Sequence, residues 1–397
     1  MPDRQNKAVL VPAAQTMGSV GVIRSLGSAG YEVHAVATDR GALGLQSSFA
    51  SRSSVCPPLG NPEFAGWFEA YVAKHNIRLV IPGGGIAYGN HEVFEAYEHL
   101  FPTSKDPETM AIAASKYDLF RSLRDGDPDH GLNLPPYLLV DLNGPLPAIQ
   151  ALGSLGIPLF VKLDAQHALD GGGSDVKRFE TAEDAHSFLE SLRGKYRKVL
   201  VQGFVDGKGV GAFLLRWHGK SLARCMHLRL HEVPHSGGAS SLRKSWWHEQ
   251  IMADAERKLQ RVRWQGVAMV EYRWNPKTDR FYLMEMNLRF WGSLHLALYS
   301  GVDFPLLLAD AFFGETPASM LEGKTGVICR NTIPNEVSYL ISLLRDPMVP
   351  ASRKAYAVAE AIALSVNPRV RTDLWYPGDR LLYFRRLFAW LRDPVRT

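Results

Sequence analysis

The sequence predicts an α/β protein, with a doubly wound parallel unit over residues 1–105, a mixed α+β unit over 106–320, and a C-terminal extension over 321–397. Three observations carry this expectation. Apolar strands alternate with an amphipathic helix and glycine-rich turns in the first hundred residues. A short apolar strand at 157–162 and another that runs into a turn over 198–207 flank a glycine-rich stretch. Two apolar runs, 267–272 and 281–289, are separated by Asn275-Pro276-Lys277-Thr278-Asp279, a turn signal that makes them a hairpin.

In the first unit, residues 7–12 read as a strand, Gln15 to Gly21 as a loop, and 19–30 as a helix ended by Gly30. A second strand follows at 31–37, and a third at 77–82 runs into Gly83-Gly84-Gly85. In doubly wound sheets ligands gather at the carboxyl ends of the strands. Gly18 and Gly21 fall short of a complete dinucleotide fingerprint and Asp39 is poorly placed for a ribose, which speaks against a nicotinamide or flavin cofactor.

The strand 157–162 ends in Lys162, and Asp170-Gly171-Gly172-Gly173-Ser174-Asp175 follows. Glycines let backbone N–H groups approach phosphate oxygens, and lysine adds a point charge, so the pair suits a polyphosphate. A plain glycine hairpin with a solvated lysine has the same pattern. Residues 198–207 run from an apolar strand into a turn, leaving a backbone edge on which an adenine ring can be read.

If Asn275 and Phe281 flank a five-residue loop at 276–280, antiparallel pairing sets Glu271 directly across from Glu285. Period-two alternation adds Asn287 and Arg289 to the face of Glu285. Two facing carboxylates repel unless something neutralises them, and a hard divalent cation does so. Arg289 would then meet a phosphoryl group or a carboxylate. The simpler alternative is a polar face on which Arg289 bridges both acids.

Between these motifs, alternation over 225–231 puts His227, Arg229 and His231 on one face and Glu232 on the other, and a paired-glycine loop leads to Ser240, Arg243 and Lys244. This reads as an anion-binding wall with Arg229 and Arg243 as its main cations, or as a solvated basic strand. Zinc is disfavoured for His227, His231 and His235, because they lie on a strand and loop and no cysteine pair accompanies them.

On these motifs the chain resembles the ATP-grasp superfamily over about residues 7 to 315, in particular its carboxylate–amine ligases and carbamoyl-phosphate-synthase-like branch. The resemblance implies an ATP-grasp fold behind a pre-ATP-grasp N-terminal domain, with a lid at roughly 115–205. It implies Lys116 and Lys162 as phosphate ligands, Gln202, Gly203, Phe204, Val205 and Asp206 as the adenine-side hinge, and Glu271, Glu285 and Asn287 as ligands of Mg²⁺, with Mn²⁺ as a substitute. Arg289 matches the arginine that steadies the transferring group. The implied reaction is ATP-dependent joining of a carboxylate, activated as an acyl phosphate, to an amine, an amino acid being the expected kind of substrate. A kinase or synthetase using another nucleophile, or a non-catalytic nucleotide-binding protein, is the alternative. Two departures stand out: Gly203 where the hinge often has glutamate, and Ser115 where an aspartate commonly precedes the first lysine. The resemblance also assigns acceptor binding to the loops 14–21 and 83–90.

Composition fits a soluble cytoplasmic enzyme: 397 residues, 46% hydrophobic, and three scattered cysteines that form no disulfide framework. The formal charge of +5 is dispersed, so nucleic acid is not implied, and homo-oligomer formation is left open. Residues 380–392 contain four arginines and no acid, with apolar residues at helical spacing. This is a basic amphipathic helix that either meets a membrane surface or a partner, or packs on the body with its arginines in water.

Overall fold

A computed structural model describes residues 4–83, 85–125, 133–169, 172–235 and 238–392. Its first sheet is parallel, with the strands Arg52–Val55, Glu32–Ala37, Ala8–Val11 and Ile77–Val80 in that spatial order. Ala8–Val11 is buried along its whole length, as a central strand covered on both faces must be. The helix Met17–Ser28 starts at Thr16, whose side chain accepts from Ser19 N. A Cβ on Gly18 would lie 2.9 Å from Trp291 O, so this glycine permits close packing of the helix start on the segment after the acidic hairpin. That packing role accounts for glycines here without a dinucleotide fingerprint.

The central sheet has eight strands. Its path runs Phe281–Asn287, Gly266–Trp274, Lys208–Trp217, Lys220–Val233, Ala239–Ser245, Ile328–Arg330 and Val370–Thr372, while Leu321–Glu322 pairs alongside Lys220–Val233. The region 321–397, read from sequence as an extension, therefore contributes strands to the central sheet. The helix Met17–Ser28 and this sheet share one core, in which Val22 and Leu26 join Phe213, Leu215 and Trp291.

A third, antiparallel sheet orders Tyr137–Asp141, Lys198–Gly203, Leu159–Leu163 and Asp175–Phe179. It closes a core of its own with the helix Ala182–Ser191 through Ala185 and Leu189. Gly203 ends its strand where any Cβ would meet Leu155 O at 1.9 Å, which excludes the glutamate common at that position in the family resembled.

Behind the hairpin, the helix Glu249–Arg261 buries Asp254, which pairs with Lys258 and accepts from Tyr272 Oη at 2.8 Å. This network fixes the strand that carries Glu271. Among the described residues, no helix is long and apolar enough to cross a membrane.

Candidate active site between the central and third sheets

Glu271 pairs directly with Glu285 across the hairpin, as the sequence suggested, but by another route. Trp274, not Asn275, stands opposite Phe281, and Asn275 N donates to Arg280 O at 2.8 Å. The register then shifts between Glu271 and Tyr272, with Met284 as the extra residue, and this bulge restores the facing acids. The strand ends at Asn287, so Arg289 lies beyond it in the following turn, where it donates to Phe290 O at 3.1 Å.

The Asn287 amide bridges the two acids, donating to Glu271 Oε1 at 3.0 Å and Glu285 Oε1 at 2.9 Å. Lys116 Nζ lies 3.4 Å from Glu285 Oε2, and Arg229 pairs with Glu271. Burial, partly offset by Arg229 and reinforced by Glu285, pushes the Glu271 carboxyl above its ordinary value. Burial acts the same way on Glu285, but Lys116, the Asn287 amide and Lys162 outweigh it and hold that carboxyl below its ordinary value. This donor set fits a hard divalent cation: two carboxylates, plus an amide whose rotation by a half-turn presents oxygen where it now presents N–H.

Lys162 is buried, with Nζ donating to Gln202 Oε1 at 2.6 Å and to Met284 O at 3.2 Å. Desolvation brings its pKa down to about 8 against the opposing pull of Glu285. Lys116 opens the helix Lys116–Asp125, where Asp164 accepts from Ser115 Oγ at 3.0 Å and Tyr117 N at 2.9 Å. A carboxylate thus stands at the start of this helix, brought from position 164 rather than from 115.

A cleft of about 590 Å³ lies between the small sheet and the central sheet, with Lys116, Lys162, Gln202, Phe204, Val205 and Asp206 among the lining residues. Arg178, which sequence reasoning passed over, lines it too. A second cavity of about 540 Å³ contains Gln15, Met17, His227, Arg289, Trp291 and Arg386 in its wall. Arg229, Gly238, Glu271 and Glu285 line both, so the acid cluster stands at their junction.

Several expected residues are placed elsewhere. Arg243, assigned from sequence to the anion-binding wall, is 1% exposed; it pairs with Asp373 and lines neither cavity, because the C-terminal segment covers its part of the sheet. His231 is diverted by a register shift after Arg229 and stacks on Tyr339, with Nδ1 3.2 Å from Glu336. His235 contacts Ser342 and Asp346, while the His227 ring packs edge-on against Phe213, so the three histidines do not converge. Gly171 lies outside the described residues; Gly172 packs against Tyr196, Gly173 is exposed, and Ser174 Oγ accepts from Ala165 N, none of them in the cleft wall. Gln15 and Met17 of the first N-terminal loop line the second cavity, but no described residue of 83–90 does. Gln202 meets Lys162 through its side chain, whereas the sequence suggested a backbone role.

The fold has counterparts among solved structures. A biotin carboxylase from Campylobacter jejuni, solved as a β-γ-ATP complex, superposes with a TM-score of 0.59 at 16% identity, over 79% of this chain and 72% of its own. An L-amino acid ligase from Bacillus licheniformis gives a TM-score of 0.55 at 14% identity, over 78% of this chain and 74% of its own. The chain has the ATP-grasp fold. A third ATP-grasp counterpart is the biotin carboxylase domain dimer of Hydrogenobacter thermophilus 2-oxoglutarate carboxylase, in complex with MgADP, ADP and bicarbonate (TM-score 0.59, 14% identity, 81% of this chain and 73% of its own). No family model matches the chain, and no curated protein matches it in sequence.

Proposed function

We propose that the protein is an ATP-dependent ligase that activates a carboxylate as an acyl phosphate and joins it to an amine, releasing ADP and phosphate. The observation that carries this is the acid cluster at the junction of two cavities, one lined by Lys116 and Lys162 and the other by Arg289 and Arg386. The first suits a triphosphate and the second an anionic acceptor.

ATP occupies the cleft, its adenine along Phe204–Asp206 and its phosphates against Lys116 and Lys162. Glu271, Glu285 and Asn287 would hold Mg²⁺, or Mn²⁺ in its place, and the cation would supply positive charge to offset that of the phosphates. The lysines and Arg289 hold the γ-phosphoryl in line with an acceptor carboxylate oxygen. A P–O bond forms there as the bond to ADP breaks. The amine then attacks the acyl carbon, the C–O bond to phosphate breaks, and the departing phosphate takes the proton that the nitrogen sheds.

Neither His227 nor Glu232, two titratable side chains of the strand beside the acid cluster, is poised to act as a base. Burial, with Arg229 and Arg243 nearby, keeps His227 far below its ordinary pKa and therefore neutral and weakly basic. Glu232 is held by Arg229 at 3.4 Å and Arg273 at 3.0 Å. The amine is best delivered already deprotonated, with His227 as a hydrogen-bonding contact. The small sheet, with a separate core, acts as the lid that keeps water from the acyl phosphate.

The test is ADP release across a panel of carboxylates paired with amino acids and other amines, with hydroxylamine added to trap the acyl phosphate as a hydroxamate. Amide formation with stoichiometric ADP is the expected result. Tight ATP binding with no turnover on any pair would instead support a nucleotide-binding protein without catalysis, and hydroxamate without amide would point to a different nucleophile.

A further inference from the structure

We propose that the helix Leu381–Arg392 is a docking surface for an anionic lipid membrane. At 100° per residue, Leu381, Phe384, Phe388 and Leu391 fall within one stripe about 80° wide. They are 58%, 42%, 63% and 59% exposed, whereas a helix built only to pack on its body turns such a stripe inward. The opposite side is the anchored one: Leu382 is buried with Val20, Leu43 and Leu374, and Arg386 lines the second cavity. The stripe therefore faces outward because the helix is fixed in place by its other face.

Exposed Trp375 widens the patch, with its ring centroid 5.9 Å from that of Phe384 and Arg380 over it at 5.2 Å. Arg380, Arg385 and Arg392 are exposed and flank the stripe, and the run 380–392 contains no acid. A symmetric pairing of two copies through this stripe would bring arginine against arginine with no carboxylate from the helix between them. An anionic bilayer offers what both parts of the surface lack, hydrocarbon for the stripe and negative charge for its flanks, and tryptophan favours the headgroup level.

The experiment is co-sedimentation of the full-length protein with vesicles of phosphatidylcholine alone, and with vesicles in which about one lipid in three is phosphatidylglycerol, each flanking arginine contributing about fivefold to binding. The protein should pellet with the anionic vesicles, fail to do so with neutral ones, and be released by salt. Phe388→Ser with Leu391→Ser should abolish binding, and Arg380→Glu with Arg392→Glu should weaken it at least tenfold, both variants keeping the wild-type far-UV circular dichroism. Binding unaffected by either pair, or no wild-type binding to anionic vesicles, overturns the proposal. A dimer in sedimentation velocity that disappears in the serine variant, without vesicle binding, overturns it in favour of a second copy.

Discussion

Replacing Lys162 by methionine is expected to separate stability from nucleotide binding. The ammonium is buried and its pKa is lowered from 10.5 to about 8, so at neutral pH the folded protein carries a charge it holds less readily than the unfolded chain does. A difference of that size corresponds to about 3 kcal/mol of destabilisation below pH 8, by the linkage between proton affinity and folding. Between about pH 8 and 10.5 the unfolded chain still binds a proton that the folded protein has shed, so the wild type regains this stability as pH rises through that window. Methionine removes the charge and leaves Gln202 Oε1 and Met284 O without their donor, which costs roughly 1–3 kcal/mol. The net at pH 7 is a variant between equally stable and about 2 kcal/mol more stable than wild type. The difference should shrink, or reverse in sign, by pH 10. ATP affinity should fall by at least about tenfold, since a charge-assisted contact to phosphate is lost. Urea unfolding of both proteins from pH 7 to 10, with calorimetric ATP titration at pH 7, measures both quantities. A stability difference that does not change with pH, or wild-type ATP affinity in the variant, would refute the reasoning.

Other substitutions probe the remaining parts. Glu285→Gln should lower metal-dependent ADP release at least about a hundredfold, because a ligand is lost, and should lower the thermal midpoint, because the charge that Lys116 and Lys162 hold ionised is removed; retained turnover would contradict the ligand assignment. Asp254→Ala strands the buried Lys258 ammonium and removes the acceptor of Tyr272, so urea unfolding should show a loss of about 3–5 kcal/mol. Arg386→Ala should raise the KM for the carboxylate substrate about ten- to a hundredfold with little change in calorimetric ATP affinity, because this arginine lines the second cavity and not the nucleotide cleft.

What could be read from the sequence was what local chemistry determines. The parallel N-terminal sheet followed from buried strands and glycine turns, and the convergence of Glu271, Glu285 and Asn287 followed from period-two alternation around a turn rich in Asn, Pro and Asp. The contacts of the C-terminal segment were not legible, because they depend on chain that is distant in sequence from its partners. Arg243 illustrates this. Its place near Arg229 was read correctly, since the two residues pair directly across neighbouring strands, but Asp373 arrives over it from 130 residues away and takes its charge. Arg386 belongs to a helix whose basic amphipathic pattern was visible, but the cavity that one of its arginines would reach was not.

The hairpin shows why a right pairing can come from a wrong loop. A regular ladder from Trp274 opposite Phe281 would have set Glu271 against Met284, and only the extra residue brings it back to Glu285. The same irregularity sets apart the Met284 carbonyl, which accepts from Lys162 at 3.2 Å. One bulge thus joins the two acids and ties them to the lysine on the neighbouring sheet, through a backbone atom whose availability no side chain encodes. Fixing a cation on the small sheet to the backbone of the acidic strand makes its position depend on how the two sheets sit together. A movement of the small sheet that breaks this contact would therefore separate Lys162 from Glu285, so that the full set of phosphate and metal ligands is assembled only when the cleft is closed.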